Sequence, residues 1–251
     1  MSRVSHASLR CPIYLSPKMH SSQIRFRDSI MGRTPLVIAV AGTIGAGKSS
    51  LVEWLQHQFE MVPFFEPNDE NPYLADFYGD MPRWALQSQL FFLVKRFEIH
   101  RAIDKGRETG SLALVQDRTI YEDAEIFAKY LHTQGHIDAR DWTMYEKLYT
   151  TLRAEIKPPD LLIYLRCPLK TLLKRIKKRG RAFEQAIPKA YLASLEGLYE
   201  EWFASYTLSP TLVIDSERLD YIERLFDRQE LISAIENLLP AGSVHAHSAR
   251  R

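Results

Sequence analysis

Leu36-Val-Ile-Ala-Val-Ala41 runs without a break into Gly42-Thr-Ile-Gly-Ala-Gly47-Lys48-Ser49. The apolar run has the length and composition of a strand buried on both faces. The residues after it match the phosphate-binding pattern G-x-x-x-x-G-K-[ST]. Leu51, Leu55 and Phe59 then recur at four-residue spacing, as on one face of a helix. Strand, glycine loop and helix in this order leave few folds open. Glycines let the backbone wrap closely around phosphate oxygens, and the helix start adds the positive end of its dipole. By chance such a match arises in about one chain of this length per hundred, so a match with the right flanks carries weight. Gly42, Thr43, Ile44, Gly45, Ala46, Gly47, Lys48, Ser49 and Ser50 are therefore the candidate nucleotide-binding residues. Lys48 reaches the terminal phosphates of a nucleoside triphosphate, and the Ser49 hydroxyl is a ligand for Mg²⁺.

The same alternation continues. Strands are expected at Val62–Phe65, Leu112–Gln116, Leu161–Leu165 and Thr211–Ile214. Helices are expected at Trp84–Asp104, Tyr121–His132, Asp141–Ile156, Leu169–Lys178, Pro188–Tyr206 and Ile222–Leu239. Pro158-Pro159 ends the third of these, because proline cannot continue a helix. Strands alternating with helices imply an α/β chain with a parallel sheet and right-handed crossovers.

The 251 residues carry 33 basic and 31 acidic side chains, a net charge of +2 that excludes a nucleic-acid binder driven by overall charge. No apolar run is long enough to span a bilayer, so neither nucleic acid nor membrane is an expected partner. Cys11 and Cys167 are too few for a disulfide framework, which points to a reducing compartment. Residues 1–34 read as a basic extension without fixed structure: up to Arg27 they hold five basic residues and no acid. A transit peptide, an unstructured tail and a start at Met31 all fit this composition. Residues 35–239 form the domain, and 240–251 read as a frayed tail.

In an open parallel sheet, ligands bind beyond the carboxyl ends of the strands. Two carboxylates fall there. Asp117, in Gln116-Asp117-Arg118-Thr119, is placed to hold Mg²⁺, and Arg118 to stabilise a transferring phosphoryl group. Glu66 follows Phe64-Phe65, whose desolvation is expected to raise its pKa towards that of a general base. Arg175, Arg179 and Arg181, crowded around Gly180, read as a lid that closes over a triphosphate and excludes water.

The phosphate loop, Phe65-Glu66-Pro67, Arg83-Trp84-x4-Gln89, Asp117-Arg118-Thr119-x3-Asp123 and the arginine segment ending in Glu184 occur in that order. Together they resemble the deoxyribonucleoside kinase family, in particular bacterial deoxyadenosine/deoxyguanosine kinases, over about Pro35 to Leu239. The resemblance implies a P-loop kinase fold whose five-stranded parallel sheet has the order 2-3-1-4-5. It also implies a homodimer packed through helices and a cytoplasmic enzyme of nucleotide salvage. The activity implied is transfer of the γ-phosphate of ATP, with Mg²⁺, to the 5′-hydroxyl of a deoxynucleoside, a purine or deoxycytidine. It makes Glu66 the base and Arg118 its steadying partner, with Lys48 completing the catalytic set. It places Tyr78 and Glu184 at the sugar 3′-hydroxyl, Gln89, Arg96 and Asp123 at the base edge, Phe127 in a stack against it, and Trp84 in the pocket lining. Thr119 stands where the family commonly has serine.

Two other readings stay open. A thymidylate kinase shares the loop and an Asp-Arg, but the acidic Asn68-Asp69-Glu70 suits a nucleoside better than a monophosphate. A non-catalytic subunit of kinase-like fold is the other, and the intact Lys48, Ser49, Glu66 and Arg118 speak against it.

Overall fold

The computed structural model describes residues 13–15, 35–109, 112–219 and 224–238. Its strands are β1 (Ile13–Leu15), β2 (Val37–Ala41), β3 (Val62–Phe64), β4 (Leu114–Asp117), β5 (Leu161–Arg166) and β6 (Thr211–Asp215). The helices are α1 (Lys48–Phe59), α2 (Leu74–Gly79), α3 (Met81–Thr109), α4 (Ile120–Glu122), α5 (Lys129–Thr133), α6 (Ala139–Ala154), α7 (Leu169–Arg179), α8 (Lys189–Ser205) and α9 (Leu225–Leu238). Asp123–Ala128 is a π-helical segment joining α4 to α5.

β6, β5, β2, β4 and β3 lie side by side and all parallel. Counted from β2, that is the order 2-3-1-4-5. At the far edge β1 pairs antiparallel with β6, Ile13 opposite Ile214. These three residues fall inside the stretch expected to lack structure. Three residues in a basic, proline-flanked segment give no periodicity to read, yet Ile13 is buried beside β6.

Successive side chains of a strand point to opposite faces, and both faces are covered. Ile38, Val40, Leu161, Ile163, Leu212 and Ile214 pack on one side with Leu51, Val52 and Leu55 of α1 and Leu231, Ile232 and Ile235 of α9. Ala39, Ala41, Leu162, Tyr164 and Val213 pack on the other with α3, α6, α8 and the segment between α4 and α5. No helix among the described residues is long and apolar enough to cross a membrane.

The structure differs from the sequence expectation at elements that lack periodicity. α2 was not expected, and neither were the 3₁₀ turns Asn68–Glu70 and Ala182–Ala186. Asn71 fixes α2: its side chain donates to Ser88 Oγ on α3 (3.1 Å) and accepts from the Tyr73 N–H (2.9 Å). The regular helix expected at Tyr121–His132 contains the π turn, which re-aims side chains and is frequent at functional sites. Residues 222, 223 and 239, at the ends of the expected last helix, lie outside the described residues, as do Cys11 and the tail from 240.

Candidate active site

The loop between β2 and α1 has three glycines in positive-φ conformations, Gly42, Gly45 and Gly47. Gly42 has φ +147°, and a Cβ there would stand 2.9 Å from the Leu165 carbonyl oxygen. Gly47 caps α1 in the left-handed region, a conformation that favours glycine. Lys48 is buried; its Nζ donates to the Thr43 carbonyl (3.2 Å). Burial, and then the nearby Arg118, hold its pKa below the ordinary lysine value. Ser49 Oγ donates to Asp117 Oδ2 (2.7 Å), which joins the start of α1 to the end of β4. The other oxygen, Asp117 Oδ1, is buried and has no hydrogen-bond partner. A hard divalent cation takes such oxygen donors, so Ser49 and Asp117 suit Mg²⁺.

Glu66, just past β3, sits at the centre of a cation cluster. Its Oε1 accepts from Arg96 Nη2 (3.0 Å), and its Oε2 accepts from Asn68 Nδ2 (3.3 Å). Arg118 Nε stands 2.9 Å from Oε1, an ion pair by distance, but its N–H is not aligned for a hydrogen bond. Burial alone would raise the Glu66 pKa. Arg118, Arg96, Lys48 and the Asn68 hydrogen bond outweigh it and hold the carboxyl at about 2. The expected upward shift is therefore reversed. Phe65, one of the two rings expected to desolvate it, is 41% exposed, and Phe64 packs towards Val37, Leu114 and Ile103. Arg118 has φ +66°, in the left-handed region that non-glycine residues rarely adopt. Its guanidinium lies 4.3 Å from the Phe127 ring centroid, so ring and carboxylate fix it from two sides.

Between this cluster and the segment after α7 lies a cavity. Its walls include Gly45, Gly47, Lys48, Ser49 and Ser50 of the loop, together with Glu66, Tyr78, Gln89, Arg118, Asp123 and Phe127. Arg179, Arg181 and Glu184 close it over the top. Arg179 holds Glu184 by two hydrogen bonds, from Nε (2.9 Å) and Nη2 (2.6 Å). Phe183 stacks on Tyr78, with the rings 2° from parallel. One end of the cavity is thus a phosphate cradle, the other an aromatic slot with an amide and a carboxylate, and Glu66 lies between them.

The deoxynucleoside kinase family model matches residues 38–240. The chain belongs to the deoxynucleoside kinase family. It is 34% identical over 205 residues to a deoxyadenosine/deoxycytidine kinase of Bacillus subtilis, covering 81% of this chain and 93% of that protein. A deoxyguanosine kinase of Lactobacillus acidophilus is 35% identical, covering 81% and 90%. The solved structure of deoxyadenosine kinase from M. mycoides with bound dATP superposes with a TM-score of 0.68 at 31% identity, covering 80% of this chain and all of that one.

In the kinase, most residues singled out from sequence line this one cavity. Gly42, Thr43 and Ala46 of the loop and Asp117 at the end of β4 lie just behind its wall, and Arg96, Trp84 and Arg175 stand apart from it. Arg96 is fully buried behind the wall, where its nitrogens donate to Asp123 Oδ2 (3.0 Å), the Asp117 carbonyl (2.9 Å) and Glu66. It acts on the site through Glu66 and Asp123. Trp84 is outside the lining and stacks on Tyr73, with Arg83 over its ring (4.5 Å). Arg175 lies behind the loop and braces it, donating to the Ala46 carbonyl (2.9 Å) and Ser216 Oγ (3.1 Å). It faces a second depression with Lys178, Arg179 and Glu217. Sequence reasoning missed Asn68, Phe183, Tyr191 and Glu122. The first three carry no motif signal beyond their neighbours. Glu122 does: Thr119-x-x-Glu122 is a helix-capping box, and both of its hydrogen bonds are present.

The cation cluster has a cost nearby. His100 on α3 is buried with its Nε2 3.3 Å from Gln116 Nε2, a contact in which the amide donates to a neutral ring. Burial, then Arg96 and Arg107, push its pKa down to about 3. The unfolded chain takes up a proton below about pH 6.5, whereas the folded one does not until about 3. His100 therefore contributes its full stability above 6.5 and loses it as pH falls towards 3, by about 1.4 kcal/mol per unit. Denaturant titrations between pH 7 and 5 should show this slope as the difference between wild type and His100→Gln. Equal slopes would remove the assignment.

Proposed function

We propose that this kinase transfers the γ-phosphate of ATP to the 5′-hydroxyl of a purine deoxynucleoside, giving the 5′-monophosphate in nucleotide salvage. The observation that carries the reading is the position of the Glu66 carboxyl group, set between the phosphate loop and the aromatic slot with Arg118 against it. A deoxynucleoside with its base near Gln89 and Phe127 and its sugar near Tyr78 and Glu184 puts its 5′-oxygen beside Glu66. Glu66 accepts the hydroxyl proton as that oxygen attacks the γ-phosphorus in line. The bond from the γ-phosphorus to the bridging oxygen breaks, and ADP leaves. Lys48, Arg118, Arg179 and Arg181 neutralise the charge spread over the transferring group. The lid and Phe183 exclude water, so that phosphate passes to the sugar rather than to solvent.

Mg²⁺ belongs to this reading, held by Ser49 and by Asp117, whose second oxygen is free to accept it. When bound it screens the phosphate charges. The donor's base would lie in the depression behind the loop, past Ser50 and Arg179. A purine preference is supported by relatives named for deoxyadenosine and deoxyguanosine. It is also supported by the Gln89 amide, which offers a donor and an acceptor to a base edge. A homodimer is supported by exposed Val94 on α3 and exposed Met144 and Leu148 on the neighbouring α6. A cytoplasmic site fits the free thiol of Cys167.

The test is a comparison of kcat/KM for deoxyadenosine, deoxyguanosine, deoxycytidine and thymidine with ATP and Mg²⁺. The two purines should lead. Thymidine in front would end the purine assignment, and preferential turnover of dTMP would end the nucleoside one.

A further inference from the structure

The Glu122 carboxylate is buried and takes four hydrogen bonds, all as acceptor. Oε1 accepts from the Gly42 N–H (3.2 Å) and the Tyr199 hydroxyl (2.9 Å). Oε2 accepts from the Thr119 N–H (2.8 Å) and the Thr119 hydroxyl (3.0 Å). The donors come from three separate places: the first residue of the phosphate loop, the turn after β4, and α8 beyond the lid. Two of the four donors are backbone N–H groups that can only donate, one on each oxygen, so both oxygens must accept. The amide of glutamine has the same shape but would turn its NH₂ towards a backbone N–H, which cannot accept.

The bond to Gly42 is the informative one. No side chain fits at Gly42, because a Cβ would meet the Leu165 carbonyl at 2.9 Å. The direction in which the loop leaves β2 is therefore set through its backbone, and Glu122 holds the N–H there. Asp123, the next residue, serves the other half of the site: it binds Arg96, which holds Glu66. Two adjacent acids thus divide the work, Glu122 towards the donor and Asp123 towards the acceptor.

We infer that Glu122 is a positioning residue for the phosphate donor, setting the loop Gly42–Ser49 and tying it through Tyr199 to α8. Glu122 is not part of the cavity lining. The inference rests on the proposed transfer from a nucleoside triphosphate. It predicts a split that general destabilisation would not give.

The experiment titrates the full chain and its Glu122→Gln variant with ATP and Mg²⁺, and separately with deoxyadenosine. ATP should bind about tenfold more weakly to the variant and deoxyadenosine within about twofold of wild type, the scale of one or two lost hydrogen bonds. The donor KM should rise in parallel. Tyr199→Phe removes a single donor and keeps the carboxylate, so it serves if the first variant does not fold. Its expected ATP loss is about threefold. Unchanged ATP affinity, or equal losses for both ligands, overturns the inference. A wild-type chain that binds ATP yet phosphorylates no deoxynucleoside would sink the proposed function while leaving the donor-loop role testable by the same titration.

Discussion

Glu66→Gln should lower kcat by about 10²–10⁴-fold, the usual range for loss of a positioned base, while ATP still binds. The amide keeps the size of the side chain but cannot take the 5′-hydroxyl proton. It also releases Arg118 and Arg96 from their ion pairs, so the hydroxyl loses its orienting acceptor as well. A second consequence concerns pH. With the carboxyl held at about 2, Glu66 is ionised at every pH at which the enzyme works, and wild-type kcat/KM should show no acid limb from this group between pH 5 and 8. A base with so low a pKa is adequate because the phosphoryl-transfer transition state is loose and the proton moves late. The triphosphate also brings negative charge that offsets Lys48 and Arg118 at that moment. Steady-state kinetics across pH, with ATP titrations of the variant, check both points. Activity within tenfold of wild type would remove Glu66 as the base, and an acid limb near pH 6 that vanishes in the variant would show that the cations do not hold it down.

Arg96→Met should have the largest effect on stability. Arg96 is fully buried and joins Asp123, Glu66 and the end of β4. Its removal leaves the Asp123 carboxylate buried with no cation in hydrogen-bond contact. Breaking a buried pair in this way typically costs about 3–5 kcal/mol, which for a domain of this size corresponds to roughly 10 °C or more in Tm. Turnover should fall too, since Glu66 loses one of its three holding contacts, and the choice of base should relax with the loss of Asp123's anchor. The double variant Arg96→Met/Asp123→Leu separates the two effects. An apolar replacement of both partners removes the stranded charge, so most of the stability should return while turnover does not. If activity returns with stability, Arg96 only supports the fold. If the single variant melts at the wild-type temperature, the network is not what holds this corner of the domain.

The parts of this protein that sequence made legible are those with a local code. The phosphate loop is one, because its glycines answer a backbone requirement at Gly42 and Gly47. The five parallel strands are another, because continuous apolar runs such as Leu161–Leu165 read directly as strands covered on both faces. Ordered motifs were enough to bring Glu66, Arg118, Asp123 and Glu184 to one cavity. Geometry between elements was not legible. The phenylalanines before Glu66 suggested a raised pKa, but the sign was decided by Arg96 and Arg118, 30 and 52 positions later in the chain. Arg96 sits behind the cavity wall rather than in it because Asp123 and the Asp117 carbonyl pull its guanidinium inward. Arg175 shares a helix with Arg179 but turns to the back of the loop, where Ser216 and the Ala46 carbonyl receive it. β1 is three residues long and is seen only beside β6.

The central claim is phosphoryl transfer to the 5′-hydroxyl of a deoxynucleoside at the Glu66 site. It is tested most directly by incubating the purified chain with γ-³²P-labelled ATP, Mg²⁺ and deoxyadenosine and resolving the products. Label should appear in 5′-dAMP, and Glu66→Gln should abolish its appearance. Label found only in inorganic phosphate, or in 5′-dAMP at the same rate with Glu66→Gln, would contradict the account.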